Sequence, residues 1–185
     1  DVNKVDIYGK TPLHFATVNN DKEIVEILIA NKADVNKTNY DGWTPLHCAV
    51  SNGCKEIVEI LIANEVDVNK VDKDGWTPLH HAARHGQKEL VLLLLQHGAD
   101  YTKVNEDSFT PQDLAKINAK FEVAKIIKNY AKSKSQSNTT SSNNDKIPEN
   151  TIKLVVKKGE IDLTYYIPLE HWDTMHKKIM ESLLK

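Results

Sequence analysis

The sequence predicts a mainly α-helical solenoid of stacked short helix pairs, followed by a linker and a small ββα element. The first observation behind this is a phrase returning every 33 residues: Tyr8-Gly9-Lys10-Thr11-Pro12-Leu13-His14, Asp41-Gly42-Trp43-Thr44-Pro45-Leu46-His47 and Asp74-Gly75-Trp76-Thr77-Pro78-Leu79-His80. A worn fourth copy, Asp107-Ser108-Phe109-Thr110-Pro111-Gln112-Asp113, stands at the same interval downstream. A repeat of this length is one supersecondary unit that cannot bury its apolar face alone and must stack on its neighbours. The second observation is a break in composition: residues 131–150 are mostly Ser, Asn, Thr, Lys and Gln, and alternating apolar residues begin at 151.

Within a unit the signals keep one order. Asp-Gly marks a tight turn, because glycine supplies a positive φ without steric cost. Thr then precedes Pro: the hydroxyl can cap a helix start, and Pro suits the first helical position. Thr44-Pro45 and Thr77-Pro78 therefore each open a helix, which Asn52-Gly53 and His85-Gly86 end about two turns later. A second helix follows over about 55–63, where Ile57, Val58, Leu61 and Ile62 form one apolar stripe and Lys55, Glu56 and Glu59 face water. Ile24, Val25, Leu28 and Ile29 repeat that stripe, as do Leu90, Val91, Leu94 and Leu95. Helices this short are marginal in water, so their stability must come from the stack.

The recurring Gly-Trp-Thr-Pro-Leu-His, Glu-Ile-Val-Glu-Ile-Leu-Ile and Ala-Asp-Val-Asn segments, in phase at a period of 33, resemble ankyrin repeats over residues 1 to about 130. The resemblance implies helix–turn–helix pairs with β-hairpin fingers along one edge. It divides the chain into a partial repeat 1–5, repeats at about 6–38, 39–71 and 72–104, and a C-terminal cap repeat 105–130. Ser108 replaces the turn glycine of the cap and Gln112-Asp113 replaces Leu-His; its second helix, expected over 120–130, is thinly apolar, as a terminal repeat with a wet outer face requires. Asp1-Val2-Asn3 matches Asp34-Val35-Asn36 and Asp67-Val68-Asn69, so the chain opens mid-unit and at least one upstream repeat is expected.

Residues 131–150 read as a flexible linker, unable to bury enough apolar area to offset the entropy of ordering. It would span roughly 25 Å as a random coil. In 151–185, Ile152, Leu154 and Val156 alternate with polar neighbours, Lys157-Lys158-Gly159-Glu160 reads as a turn, and Ile161, Leu163, Tyr165 and Ile167 alternate again. Pro168 stops this hairpin, and Leu169, Trp172, Met175 or His176, Ile179 and Leu183 then share one helix face. A ββα piece of this size needs something to dock on, whether the cap repeat, a second copy of itself or a partner.

A formal net charge of −2 argues against general affinity for nucleic acid or anionic membrane, both of which need a basic excess. No stretch is long and apolar enough to span a bilayer. Cys48 and Cys54 suit a reducing compartment, which points to the cytosol. The single arginine, Arg84, against abundant Lys, Asn and Ile resembles the drift of an AT-rich genome, such as that of an intracellular bacterium, so export into a host cytosol is a further expectation.

No phosphate loop, Ser/His/Asp order, Cys-x-x-Cys or paired-carboxylate site stands out, so neither an enzyme nor a cofactor is expected. His81 and His85 have the i,i+4 spacing of metal ligands, but no third ligand accompanies them and no metal site is expected. The resemblance assigns His14, His47 and His80 to construction: each bonds its motif threonine, Thr11, Thr44 or Thr77, and ties one repeat to the next. Asn36 and Asn69 resemble positions hydroxylated in some ankyrin proteins, though plain loop hydrogen bonding accounts for them more simply.

The resemblance places partner contacts on the variable finger residues and the end of the first helix. Carried onto this sequence, these are Tyr8 and Lys10, with Ile7, Val18 and Asn19 beside them; Tyr40, Asp41, Trp43 and Asn52, with Ser51; Lys73, Asp74, Trp76, Arg84 and His85; and Glu106 and Phe109, with Asp107. Trp43, Trp76 and Phe109 occupy like positions and either line a groove as interface anchors or lie against their own fingers. The expectation is a non-enzymatic module binding a protein partner of unidentified kind on its concave face, with no nucleic-acid or membrane partner. Two alternatives are an adaptor whose 151–185 tail self-associates or folds back to control access, and the targeting arm of a larger enzyme or toxin.

Overall fold

The computed structural model describes residues 1–138, 151–158 and 161–168, with side chains through 135. The chain forms two compact units, Asp1–Ser137 and Asn138–Lys185. Among the described residues the first is all-helical: α1 Pro12–Val18, α2 Lys22–Ala30, α3 Pro45–Ser51, α4 Lys55–Ala63, α5 Pro78–His85, α6 Lys88–Gln96, α7 Pro111–Ile117 and α8, which runs from Phe121 to Asn138. The odd-numbered helices pack on one another in a row, α1 to α3 to α5 to α7, and α2, α4 and α6 form a second row behind them. No helix among the described residues is long and apolar enough to cross a membrane.

Every odd-numbered helix starts by the same device. Thr11, Thr44, Thr77 and Thr110 cap it, accepting from the amide three residues on, and proline fills the first turn. Leu13, Leu46 and Leu79 follow at 0% exposure, so the cap, the helix start and the core contact come from consecutive residues. In α4 the predicted stripe is buried at Ile57, Val58 and Leu61, and Lys55 pairs with Glu59 across 3.7 Å on the wet face. In the last repeat Asp113 takes the histidine's place in the capping box, its Oδ2 accepting a hydrogen bond from the Thr110 hydroxyl at 2.6 Å. The local cap is kept, while a carboxylate cannot donate onward to a further finger.

The expected β-hairpin fingers are tight turns instead; residues 1–138 contain no strand. Each finger is too short for a ladder, so a side chain supplies the missing rung. In the second, Asn39 N–H donates to the Trp43 carbonyl at 2.9 Å, and Asn39 Oδ1 accepts the amides of Asp41 and Trp43 at 2.9 and 2.8 Å. Asp6 and Asp72 do the same in the first and third. Neighbouring fingers are joined by single main-chain bonds: Tyr40 N–H to Tyr8 O, Lys73 N–H to Asp41 O and Glu106 N–H to Asp74 O, at 3.0, 3.0 and 3.1 Å.

Behind the fingers, Asn36 Oδ1 accepts the Asp67 amide at 2.8 Å and Asn69 Oδ1 accepts that of Asp100 at 2.7 Å. These asparagines are thus loop ties between repeats. The last repeat docks through Tyr130, whose hydroxyl donates to Leu95 O at 2.6 Å and whose ring stands edge-on to Tyr101, and through an ion pair between Lys88 and Glu122. Its second helix does not stop near residue 130. It continues eight residues into the segment read as linker, because Ala131, Lys132, Lys134 and Gln136 favour helix and the Ser133 and Ser135 hydroxyls bond the carbonyls of Tyr130 and Lys132. The rest of that linker lies outside the described residues.

In the second unit β1 Thr151–Lys158 pairs antiparallel with β2 Ile161–Pro168. The register sets Ile152, Leu154 and Val156 opposite Ile167, Tyr165 and Leu163. Lys157 and Lys158, read as part of the turn, belong to β1 and pair with Asp162 and Ile161. The turn residues 159–160 and the helix expected after Pro168 lie outside the described residues.

Candidate functional site

The motif histidines have a single role, repeated. His14 Nδ1 accepts the Thr11 amide at 3.1 Å and the Thr11 hydroxyl at 2.8 Å, while Nε2 reaches the carbonyl of Trp43, in the next repeat, at 3.0 Å. His47 bonds Thr44 and the Trp76 carbonyl in the same way, and His80 bonds Thr77 and the Phe109 carbonyl. An amide can only donate and a carbonyl can only accept, so each ring is the neutral tautomer with its proton on Nε2. Burial lowers the pKa of all three, that of His47 to about 4, with nearby His81 adding to the effect.

The residue after each motif histidine, or after Asp113 in the last repeat, varies: Phe15, Cys48, His81 and Leu114. His81 alone can bond the residue nine positions before it. Its Nε2 lies 3.2 Å from Asp72 Oδ2, with both side chains nearly sealed from solvent. Burial works to raise the Asp72 pKa, but the His81 bond and the Trp76 amide outweigh it and hold the carboxyl below its usual range, ionised. His81 also separates the two predicted tryptophans: its ring centroid is 4.8 Å from that of Trp43 and 5.1 Å from that of Trp76, both indoles being half-buried. On the outer side the Arg84 guanidinium lies 5.3 Å from the Trp76 ring centroid.

The predicted partner-binding residues thus fall into groups. Trp43, Trp76 and Arg84 meet around His81, and with Asp74, Glu106 and Asp107 they line a cavity of about 360 Å³. Tyr8 and Tyr40 project from the first two fingers at 61% and 60% exposure, and the Lys10 ammonium lies 6.0 Å over the Tyr8 ring. Asp41 and Lys73 are exposed at neighbouring tips. Phe109 is 38% exposed and shares no ring contact with the tryptophans among the described residues, so the three-aromatic ladder reduces to a pair bridged by a histidine. Asn52 and His85 are turned onto their own helix, donating to Cys48 O and His81 O at 2.8 and 2.9 Å. His85 therefore does not converge with His81 Nε2, and no metal-holding cluster exists among the described residues.

The bonded pair of His81 and Asp72 is one that spacing alone did not reveal. The signal lay in comparing units: Asp6 with Phe15, Asn39 with Cys48, Asp72 with His81 and Asn105 with Leu114 make one complementary pair out of four. In the fourth unit, where Leu114 replaces the histidine, Asn105 Nδ2 is buried with no partner. Both thiols are buried, and burial raises the Cys48 pKa to about 11, which makes it an apolar filler and not a nucleophile.

The family model for ankyrin repeats matches in three copies, over residues 1–72, 30–105 and 56–140. No curated protein matches the chain.

Proposed function

The chain belongs to the ankyrin-repeat family, whose repeats are general protein–protein interaction modules and typically non-enzymatic; from that premise we propose that it binds a partner protein along its fingers and the adjoining ends of α1, α3 and α5. The observation that supports this reading is the pairing of a locked backbone with free side chains. Each finger is hydrogen-bonded to the next, while Tyr8, Tyr40, Asp41, Lys73 and Asp74 remain exposed at the tips. A surface ordered before binding loses little entropy on association. The Lys-, Asn- and Ile-rich composition with one arginine supports a source with an AT-rich genome, and with it a cytosolic site of action in a host cell.

A capture experiment from that cytosol tests the reading. Tyr8→Ala/Tyr40→Ala/Asp74→Lys should lower partner recovery at least tenfold with an unchanged melting curve. Glu59→Lys, on the outer face of α4, should leave recovery as it was. Equal recovery by both variants would remove the finger surface from consideration.

A further inference from the structure

The cavity beside the third finger is more than part of a general contact surface, because its lining selects a charge. Trp43 and Trp76 line it, together with the exposed acidic residues Asp74 and, from the fourth finger, Glu106 and Asp107. None of these three carboxylates forms an ion pair among the described residues, and neither does Arg84, although its guanidinium already lies on the Trp76 face. Asp72, also in the lining, is committed to His81 and two amides and offers no free acceptor. Three unpaired carboxylates therefore share the lining with one guanidinium. An anionic ligand would meet net repulsion there, and an apolar side chain would strip water from acids with nothing to pair them. A planar cation meets both an aromatic face and open acceptors.

We infer that this cavity is the seat for a basic side chain of the partner, arginine before lysine. This rests on reading the fingers as the partner-binding surface and adds the chemistry of what they bind. The incoming guanidinium lies flat on the indole of Trp76, and its N–H groups reach Asp74, Glu106 and Asp107. Arginine is favoured because its fork pairs with two carboxylates while its plane stacks, which a point-charged ammonium cannot do. Arg84 occupies the seat in the free protein and gives it up on binding.

The test uses blocked twelve-residue peptides of alternating serine with arginine, lysine or glutamate, titrated against the full chain while the indole N–H resonances of Trp43 and Trp76 are followed. The arginine peptide should shift both signals saturably, the lysine peptide should bind several-fold more weakly, and the glutamate peptide should shift neither. Asp74→Asn/Glu106→Gln/Asp107→Asn changes only exposed side chains and should weaken the arginine peptide at least tenfold with an unaltered melting curve. Arg84→Gln vacates the seat and should tighten binding several-fold. Glutamate-peptide binding equal to that of arginine would overturn the inference, as would full affinity in the triple variant. An arginine peptide that leaves both indole signals unmoved, while the finger-tip substitutions still abolish partner capture, would also overturn it and leave the broader reading standing. Capture unaffected by the finger-tip substitutions would remove the broader reading instead.

Discussion

Protonation of His47 would set two donors face to face. Its Nδ1 receives the amide and hydroxyl of Thr44, and a proton there leaves both without an acceptor inside a sealed interface. Burial expresses the same cost by lowering the folded-state pKa from 6.5 to about 4. Between those two values the unfolded chain binds more protons than the folded one, so this contribution is complete above the unfolded value and is lost as pH falls toward the folded one. It amounts to roughly 3 kcal/mol from His47 alone, with His14 and His80 acting in the same direction. Urea unfolding in steps from pH 7 down to 4.5 should therefore show a steady loss of stability. His47→Ala should cost about 2–4 kcal/mol at pH 7, because it orphans the Thr44 amide and one bond to the Trp76 carbonyl, and should make the acid slope shallower. An unchanged slope in that variant would show that other groups set the acid sensitivity.

Backbone geometry depends on glycine in the finger turns and tolerates its loss in the turn that ends α6. Gly42 has φ +81°, and a Cβ there would come within 2.9 Å of the Asp72 Cα and the Lys73 nitrogen, so the second finger could not lie against the third. Gly42→Ala should cost roughly 3 kcal/mol or more, combining left-handed strain with a backbone clash. Gly98 has φ +84° with nothing within 4 Å, and Gly98→Ala should cost only about 1 kcal/mol. The fourth finger has Ser108 at φ 65°, where the other fingers have glycine. Ser108→Gly should stabilise the chain by about 1 kcal/mol, read as a rise in melting temperature. Helix starts, the turn glycines and the core leucines are legible in the sequence because each follows from neighbouring residues: Thr and Pro for the cap, Leu for the burial. The end of α8 is not legible, since Ser and Lys between residues 131 and 138 are compatible with coil and helix alike, and a helix already begun lowers the cost of continuing it. The His81 cluster is harder to read for another reason: Asp72, Trp76 and His81 belong to one repeat, but Trp43 comes from the repeat before, and the Asp72–His81 pair stands out only when the units are compared position by position.

Burial is unevenly distributed along the stack. α2 buries only Val25 fully, and Ile24 and Ile27 are 46% and 60% exposed, whereas α6 buries Leu90, Val91, Leu94 and Leu95. In a linear array each repeat is held by its own stability plus its contacts with neighbours, so local opening should be easiest where cover is thinnest. Hydrogen exchange should accordingly be on the order of 100-fold faster for the protected amides of α1 and α2 than for those of α5 and α6. Uniform protection across all four helices would mean that the array unfolds as one cooperative block.

The bonds from the histidine Nε2 atoms land on main-chain carbonyls, those of Trp43, Trp76 and Phe109. A carbonyl is the same whatever side chain its residue carries. The position that joins one repeat to the next is thus also a position whose side chain can differ, tryptophan at 43 and 76 and phenylalanine at 109, without loosening the joint. The main chain of one residue fastens the units together while its side chain varies, so on the proposed reading such an array can change what it binds by substitution at the very point where its units are joined.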